Sequence, residues 1–124
     1  MPTPISIVIG GKSVPAELND SATARGIAGK LPIETGFSTW GDEIYFSIPV
    51  KMGAENPKGV VETGELGYWP PGSAFCIFYG ATPGSTADHI EPASPVNPIG
   101  RVTGDPEVFK SLSRKHGKIR IEKA

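Results

Sequence analysis

Cysteine, histidine and glutamine are scarce in this sequence, which has one, two and none of them among its 124 residues. A single cysteine cannot form an internal disulfide, and it leaves too few thiols for a cysteine-based zinc site. The two histidines, His89 and His116, are far apart and belong to no His-x-His or Glu-x-x-His pattern. We therefore expect no metal site and no cofactor.

Long apolar runs and a strong net charge are lacking as well. No stretch approaches the ~20 apolar residues that a membrane-spanning helix needs. The short run Ile5–Ile9 has no basic region before it and no cleavage pattern after it, so we expect no signal peptide. The net charge of −1 gives no general attraction to nucleic acid or anionic lipid. These absences predict a cytoplasmic protein with no membrane partner and no nucleic-acid partner.

The remaining composition is that of a soluble globular domain. Apolar residues make up 38% of the chain and charged residues 20%. A chain of this length is expected to form one domain, spanning residues 1–124. The 16 glycines and 13 prolines predict many turns and irregular segments.

Half of the chain's ten aromatic residues lie in the seventeen positions from Gly64 to Gly80. Ala74–Tyr79 is a continuous apolar run between glycines, which predicts a strand covered on both faces. The segment Tyr68–Gly72 contains two adjacent prolines, which remove backbone donors and fix φ. It predicts a rigid, extended corner that leads into the central strand, after a turn over Gly64–Gly67.

The other elements follow from periodicity and from their start and stop residues. Three isoleucines alternate up to Gly10, and a second alternating run ends at Leu18, which predicts a hairpin with Pro15 at an edge or a bulge. One helix begins at Asp20 or Ser21 and ends before Pro32, and a second runs from Asp105 to Gly117. Further strands are expected over Glu43–Val50, Gly59–Thr63, Ile99–Val102 and Lys118–Lys123, with a long loop over Ala81–Pro98.

Six to eight short strands and two short helices predict a small, mostly antiparallel barrel, because closure removes exposed strand edges. Three segments, GDEIYFSIPV (41–50), GELGYWPPGSAFCIFYGATP (64–83) and PASPVNPIGRV (92–102), then resemble the small prokaryotic cyclophilin-like domain family. The resemblance implies a mainly β fold, a cyclophilin-like closed barrel of about eight mostly antiparallel strands with two short capping helices. Cyclophilins isomerise prolyl bonds with a Phe-His-Arg and a Gln-Gly-Gly-Asp motif, and neither motif occurs in this sequence.

Aromatic residues and one asparagine are the candidates for a ligand site. Such a groove needs aromatic walls and a few polar anchors. The alternative is that the aromatic residues only pack the barrel. The candidate ligand-binding residues are Tyr68, Trp69, Phe75, Phe78, Tyr79 and Asn97.

Arg101 is the candidate catalytic residue, because it is the only arginine between positions 26 and 113 and it ends the proline-rich loop. Its planar guanidinium is suited to holding a carbonyl or a carboxylate. The alternative is a structural ion pair with Glu62, Glu65 or Asp105. Cys76, within an apolar run, is predicted to be a buried structural thiol. Asp88 and His89 are adjacent and form a weaker acid–base candidate.

Three functional hypotheses remain open at this stage. The first is a binding domain for a small molecule or an extended, proline-containing peptide, with a groove built from residues 68–79 and 81–101. The second is a peptidyl-prolyl isomerase with a rearranged site, in which Arg101 donates to the prolyl nitrogen. The third is an assembly module whose open barrel edge pairs with a second copy, which makes a homo-oligomer, or with a larger enzyme.

Overall fold

The computed structural model describes residues 2–86 and 89–124, which contain nine strands, two α-helices and one 3-10 turn at Pro70–Gly72. The helices are α1 (Ala22–Ala28) and α2 (Val108–Lys115). The strands are β1 (Thr3–Ile9), β2 (Lys12–Leu18), β3 (Ile33–Gly36), β4 (Ser38–Thr39), β5 (Glu43–Ser47), β6 (Glu65–Trp69), β7 (Ala74–Phe78), β8 (Asn97–Val102) and β9 (Lys118–Lys123).

All strand pairs are antiparallel, and the sheet order is β3-β9-β1-β2-β8-β6-β7-β5-β4. The two terminal strands of this order are consecutive in the chain, separated only by Phe37. One segment, residues 33–39, therefore pairs with β9 on one side and with β5 on the other. The result is a nearly closed barrel, which confirms the predicted fold class.

The N-terminal hairpin forms as predicted. Gly10 and Gly11 have φ values of 57° and 80°, the left-handed conformation that a tight hairpin turn requires at both positions. Within β2, only Ala16–Leu18 pairs with β8, so Pro15 lies beyond the ladder on that side. Proline has no N–H to donate, and its position beyond the β2–β8 ladder means that no ladder hydrogen bond is lost.

The central strand β7 is buried at every residue, which confirms that both of its faces are covered. Phe75 and Ile77 belong to the barrel core. Ala74, Cys76 and Phe78 lie on the opposite face and pack with Val61, Ile90, Val96 and Trp69 in a second, smaller core. The segments that precede β6 and β8 in the chain thus form a cover over the outside of the barrel wall.

Helix α1 begins after its predicted cap, Ser21, whereas α2 begins at Val108, two residues later than Pro106, the first helical position predicted after Asp105. The Ser21 side chain accepts the Ala24 N–H at 3.1 Å, and Glu55 accepts the N–H groups of Ala22 and Thr23 at 3.0 and 2.9 Å. Hydrogen bonds, first of all from the Thr23 hydroxyl, lower the pKa of Glu55. Glu55 thus supplies a second cap to α1 from a distant loop.

At the second helix, the Asp105 side chain accepts the Glu107 N–H at 3.0 Å, in the turn that leads into α2. Phe109 is fully buried, and its ring lies 5.9 Å from that of Tyr79. The helix ends at Lys115, two residues before Gly117. None of the helices in the described ranges is long and apolar enough to cross a membrane.

The segment expected to be a turn, Gly64–Gly67, is instead mostly the strand β6. Gly67 is a glycine because of close packing, since a Cβ there would lie 2.8 Å from Val96 Cγ2. The expected extended corner is a 3-10 turn that joins β6 to β7, and it ends at Ser73 with φ of 48°. The strand expected over Gly59–Thr63 reduces to a single bridge between Val61 and Ile90.

Strand β8 begins at Asn97, two residues earlier than expected, although Pro98 follows. The ladder with β6 is irregular here: Leu66 faces Gly100 and Gly67 faces Pro98, so Ile99 is an extra residue. Such a bulge accommodates a proline in an inner strand. Two short strands, β3 and β4, were not predicted, because their sequence has no alternating apolar pattern.

Candidate functional site

A cleft of about 220 Å³ opens on the outside of the barrel, where β5, β6 and β7 face the segment 92–96. We call it the outer cleft. Its walls are largely aromatic and apolar, with one carboxyl and one thiol among them. The lining residues are Trp40, Glu43, Tyr45, Trp69, Cys76, Pro92, Ala93 and Val96.

The strand register explains how β5 and β7 contribute to this cleft. Ile44 and Phe46 point into the barrel core, so their neighbours Glu43 and Tyr45 point outward. Tyr45 lies opposite Cys76 in the β5–β7 ladder. The side chains of Glu43, Tyr45 and Cys76 therefore share one patch of the outer surface.

The two tryptophans of the chain stand at the edges of the patch. The Trp40 N–H donates to the Glu43 carbonyl at 2.9 Å, which folds the residues after β4 back onto the start of β5. Trp69 ends β6, and its indole N–H donates to Ser94 Oγ at 2.6 Å. This bond fastens the cover segment to the sheet, so both sides of the cleft are held in place.

Glu43 is the buried acid of the cleft, with only 6% of its surface exposed. Burial raises its pKa from 4.5 to about 7, and a side-chain hydrogen bond with Cys76 opposes part of that rise. No ion pair within the described ranges involves Glu43. Near neutral pH this carboxyl is therefore present in both forms, one able to donate a hydrogen bond and one that carries an uncompensated charge.

Cys76 is buried, as predicted for a structural thiol. Burial, and secondly the neighbouring Glu43 carboxylate, raise the pKa of its thiol well above 9. Its Sγ also lies 3.8 Å from the Ala74 carbonyl. The thiol remains protonated at neutral pH, so it is a poor nucleophile here.

Two of the candidate ligand residues, Tyr68 and Phe75, point into the barrel. The Tyr68 hydroxyl donates to the Val50 carbonyl at 2.5 Å and accepts the Met52 N–H at 3.2 Å. Phe75 stacks on Phe46 with a centroid distance of 5.3 Å. Both side chains are fully buried and lie on the opposite side of the sheet from the outer cleft.

Two further candidates are also buried, in different places. Phe78 packs in the small outer core, and the Tyr79 hydroxyl lies 3.1 Å from Ser113 Oγ on α2. Burial is the main cause that raises the pKa of Tyr79. Trp69 is the one aromatic candidate among the outer cleft's lining residues.

Asn97 is fully buried at the start of β8. Its side-chain oxygen accepts the Glu55 N–H at 2.8 Å, and its amide nitrogen donates to the Gly53 carbonyl at 2.9 Å and to Thr23 Oγ1 at 3.2 Å. The side chain thus holds the loop that caps α1 against the barrel. The structure does not bring it to the outer cleft.

Arg101 lies at the far end of β6 and β8 from Trp69, opposite Glu65. Its side chain is 71% exposed, and its Nε donates to Glu17 Oε1 at 2.9 Å across the β2–β8 ladder. The ion pair is with Glu17, which faces Arg101 from β2, rather than with Glu62, Glu65 or Asp105. Glu65 faces Arg101 from the other neighbouring strand, β6, but it is paired with Lys58. Arg101 lines a separate, open groove of about 490 Å³, which we call the Arg101 groove.

The remaining acid–base candidate is only partly described. Asp88 lies outside the described residues, whereas His89 Nε2 is 3.2 Å from Glu91 Oε2. In the described ranges no group of three or more His, Cys, Asp or Glu side chains is placed to hold a metal ion.

Sequence reasoning missed Trp40, Glu43 and Tyr45 as residues of a site. The alternation in β5 indicates that Glu43 and Tyr45 share the outer face, and Trp40 lies just before that strand. The sequence did not indicate that residues 92–96 cover this face of the sheet and thereby bury the outward-pointing side chain of Glu43.

Comparison with known proteins identifies the family of the chain. No curated protein matches it. A family model described as cyclophilin-like matches residues 3–122. The solution structure of a hypothetical protein from Archaeoglobus fulgidus is similar, with 37% sequence identity, a TM-score of 0.80, and coverage of 99% of this chain and 95% of that one. With a match over almost its whole length, the chain belongs to the cyclophilin-like family.

Proposed function

We propose that this domain binds a small molecule in the outer cleft. The observation that carries the proposal is the buried carboxyl of Glu43 in a cleft lined by both tryptophans of the chain. Binding clefts combine apolar and aromatic walls with a few placed polar groups. A barrel wall gains nothing from an acid at this position, because its burial costs free energy.

The size of the cleft favours a small ligand over an extended peptide. Clefts for drug-sized ligands usually enclose roughly 300–1,000 Å³, whereas the outer cleft encloses about 220 Å³. The expected groove of residues 68–79 and 81–101 contributes Trp69, Cys76 and Val96 to it. The proline-containing peptide of the sequence-based hypothesis remains a second possible occupant of the same surface.

The indole N–H signals of Trp40 and Trp69 provide a local test. We expect neutral fragments such as benzyl alcohol and cyclohexanol to shift both signals saturably in heteronuclear N–H NMR spectra. Trp69→Ala removes a cleft wall and should weaken the effect on Trp40 about tenfold or more. Ala93→Phe is the second variant, since residue 93 is exposed and a larger side chain there fills the cleft without disturbing the core.

Arg101→Ala is the matched control, because Arg101 lies in the other groove and is paired with Glu17. It should leave the fragment-induced shifts unchanged. Shifts that persist in Ala93→Phe, or that are lost only in Arg101→Ala, would contradict the proposal. The same spectra report whether each variant remains folded.

Prolyl isomerisation has less support from the geometry. An isomerase must lower a rotational barrier of ~20 kcal/mol, and the rearranged-site hypothesis needs a cationic donor, Arg101, beside the groove. The lining of the outer cleft includes neither Arg nor Lys, and Arg101 is paired elsewhere. We expect no acceleration in a protease-free assay over a panel of Xaa-Pro peptides. Acceleration by the wild type that Arg101→Ala abolishes would restore the isomerase hypothesis.

The assembly hypothesis relied on an open barrel edge. Residues 33–36 pair only with β9 and residues 38–39 only with β5, so the free edges at the two ends of the described sheet are four and two residues long, which is short for pairing with a second copy. A homo-oligomer would therefore have to use side-chain contacts. Sedimentation over a range of concentrations distinguishes that arrangement from a monomer.

A further inference from the structure

Three features of the outer cleft narrow the chemistry of its ligand, and each is independent of the others. They are the aromatic walls, the buried acid and the lack of a cationic side chain among the lining residues. The inference drawn from them rests on the proposed function, because it names the ligand class of the same cleft.

The first feature is the aromatic character of the walls. Trp40, Tyr45 and Trp69 come from three different parts of the chain, and they converge on a space of about 220 Å³. Tyr45 is one of only two large hydrophobic side chains classed as exposed among the described residues. The electron-rich faces of such rings attract cations, and tryptophan does so most strongly.

The second feature is the acid at the base of these walls. Glu43 is 6% exposed, which leaves its carboxyl largely without water. Buried charges in proteins are normally paired, yet Glu43 has no ion-pair partner in the part of the chain that the structure describes. A positively charged ligand would supply the partner that the chain itself does not.

The third feature is the set of charged and titratable groups around Glu43. They are Cys76 on β7, Tyr79 just beyond that strand, and the adjacent Asp42, while the cation Arg114 on α2 acts on Tyr79 and not on Glu43. The cover segment, residues 92–96, contains no charged residue, and neither do residues 38–41. The surroundings are thus neutral or acidic, which disfavours an anionic ligand.

We propose that the outer cleft binds a small organic cation, with an ammonium group among Trp40, Tyr45 and Trp69 and its charge paired with the Glu43 carboxylate. The volume accommodates about as much as seven water molecules at ~30 Å³ each. It is therefore suited to a trimethylammonium or a short alkylammonium compound. Burial of the site also favours a cation over a neutral ligand of the same shape, because a low dielectric strengthens the attraction between the cation and the Glu43 carboxylate.

The test compares choline with dimethylbutanol, in which a carbon atom replaces the ammonium nitrogen and the shape is kept. We expect choline to shift both indole signals at about pH 8 and to bind about tenfold more tightly than the alcohol. At about pH 5 the acid is protonated, and the preference for the cation should fall several-fold. Cys76 and Tyr79 stay neutral over this range, since burial raises the pKa of each.

Glu43→Gln keeps the shape of the side chain and removes its charge. It should abolish the preference for choline while the alcohol still binds. Glu17→Gln, which removes the same charge in the Arg101 groove, is the matched control and should keep the preference.

Equal affinities for the two probes, or an unchanged preference in Glu43→Gln, would overturn the cation assignment and leave the proposed function standing. If neither probe shifts the indole signals at any pH, the cation assignment is overturned. If the neutral fragments shift no indole signal either, both proposals fail.

Discussion

Gly100→Ala is expected to destabilise the domain by about 4 kcal/mol, which is a large part of the stability of a domain of this size. A Cβ at residue 100 would overlap the Glu17 backbone carbonyl oxygen and lie 3.0 Å from Leu18 Cα. Neither contact can be relieved by rotating a side chain. Relief requires β2 and β8 to move apart, which breaks the ladder at Leu18 and the bulge opposite Leu66.

Urea unfolding followed by circular dichroism measures this effect. The matched control is Gly59→Ala, because a Cβ at residue 59 would meet nothing within 4 Å. We expect that control to change the stability by less than about 0.5 kcal/mol. A Gly100→Ala protein as stable as the control would mean that the two strands tolerate a wider separation than the structure shows.

Glu43→Gln is expected to remove a pH dependence of stability that the wild-type protein shows between pH 4.5 and about 7. Folding raises the pKa of this acid from 4.5 to about 7, so the folded state binds more protons in that interval. The contribution of Glu43 to stability is therefore greatest below pH 4.5, and it falls as the pH rises to about 7. The pKa rise corresponds to about 3 kcal/mol, and we expect about 2 because water enters the open cleft.

Urea titrations of both proteins at about pH 5 and about pH 8 measure the pH-dependent contribution of Glu43 to the free energy of unfolding. The variant should gain about 2 kcal/mol relative to the wild type at the higher pH and match it at the lower. Glu55 acts in the opposite direction, since its pKa is lowered by folding, but it is common to both proteins and cancels in the difference. Glu17→Gln is the control that should keep the wild-type trend. Parallel curves for the wild type and Glu43→Gln would show that Glu43 is solvated.

Elements whose signals are local could be predicted from the sequence. The paired glycines 10 and 11 specify a tight turn, Ser21 marks the start of α1, and Asp105 marks the turn that leads into α2. The apolar run Ala74–Phe78 is long enough to indicate burial on both faces. In each of these cases, residues that are close in the sequence are sufficient to determine the local structure.

Features that depend on distant parts of the chain could not be predicted. Gly67 suggested a turn, but it is a glycine because Val96, almost thirty positions away, packs against it. Arg101 has Glu17 as its partner because β2 pairs with β8 and because Glu65, on the other neighbouring strand, is paired with Lys58. The candidate set likewise combined residues from both faces of the sheet, because aromatic content does not reveal which face a side chain occupies.

Residues 33–39 complete the ring of strands, and they couple opening of the barrel to ligand binding in the outer cleft. The β4–β5 ladder contains two residue pairs, Ser38 with Tyr45 and Thr39 with Ile44, and it is the shortest ladder in the sheet. Local unfolding at this ladder breaks the fewest backbone hydrogen bonds, so transiently opened molecules should separate there first. Trp40 follows β4 directly and lines the outer cleft. A bound ligand would therefore lower the population of opened barrels as well as that of globally unfolded chains, since both states lose a wall of its site.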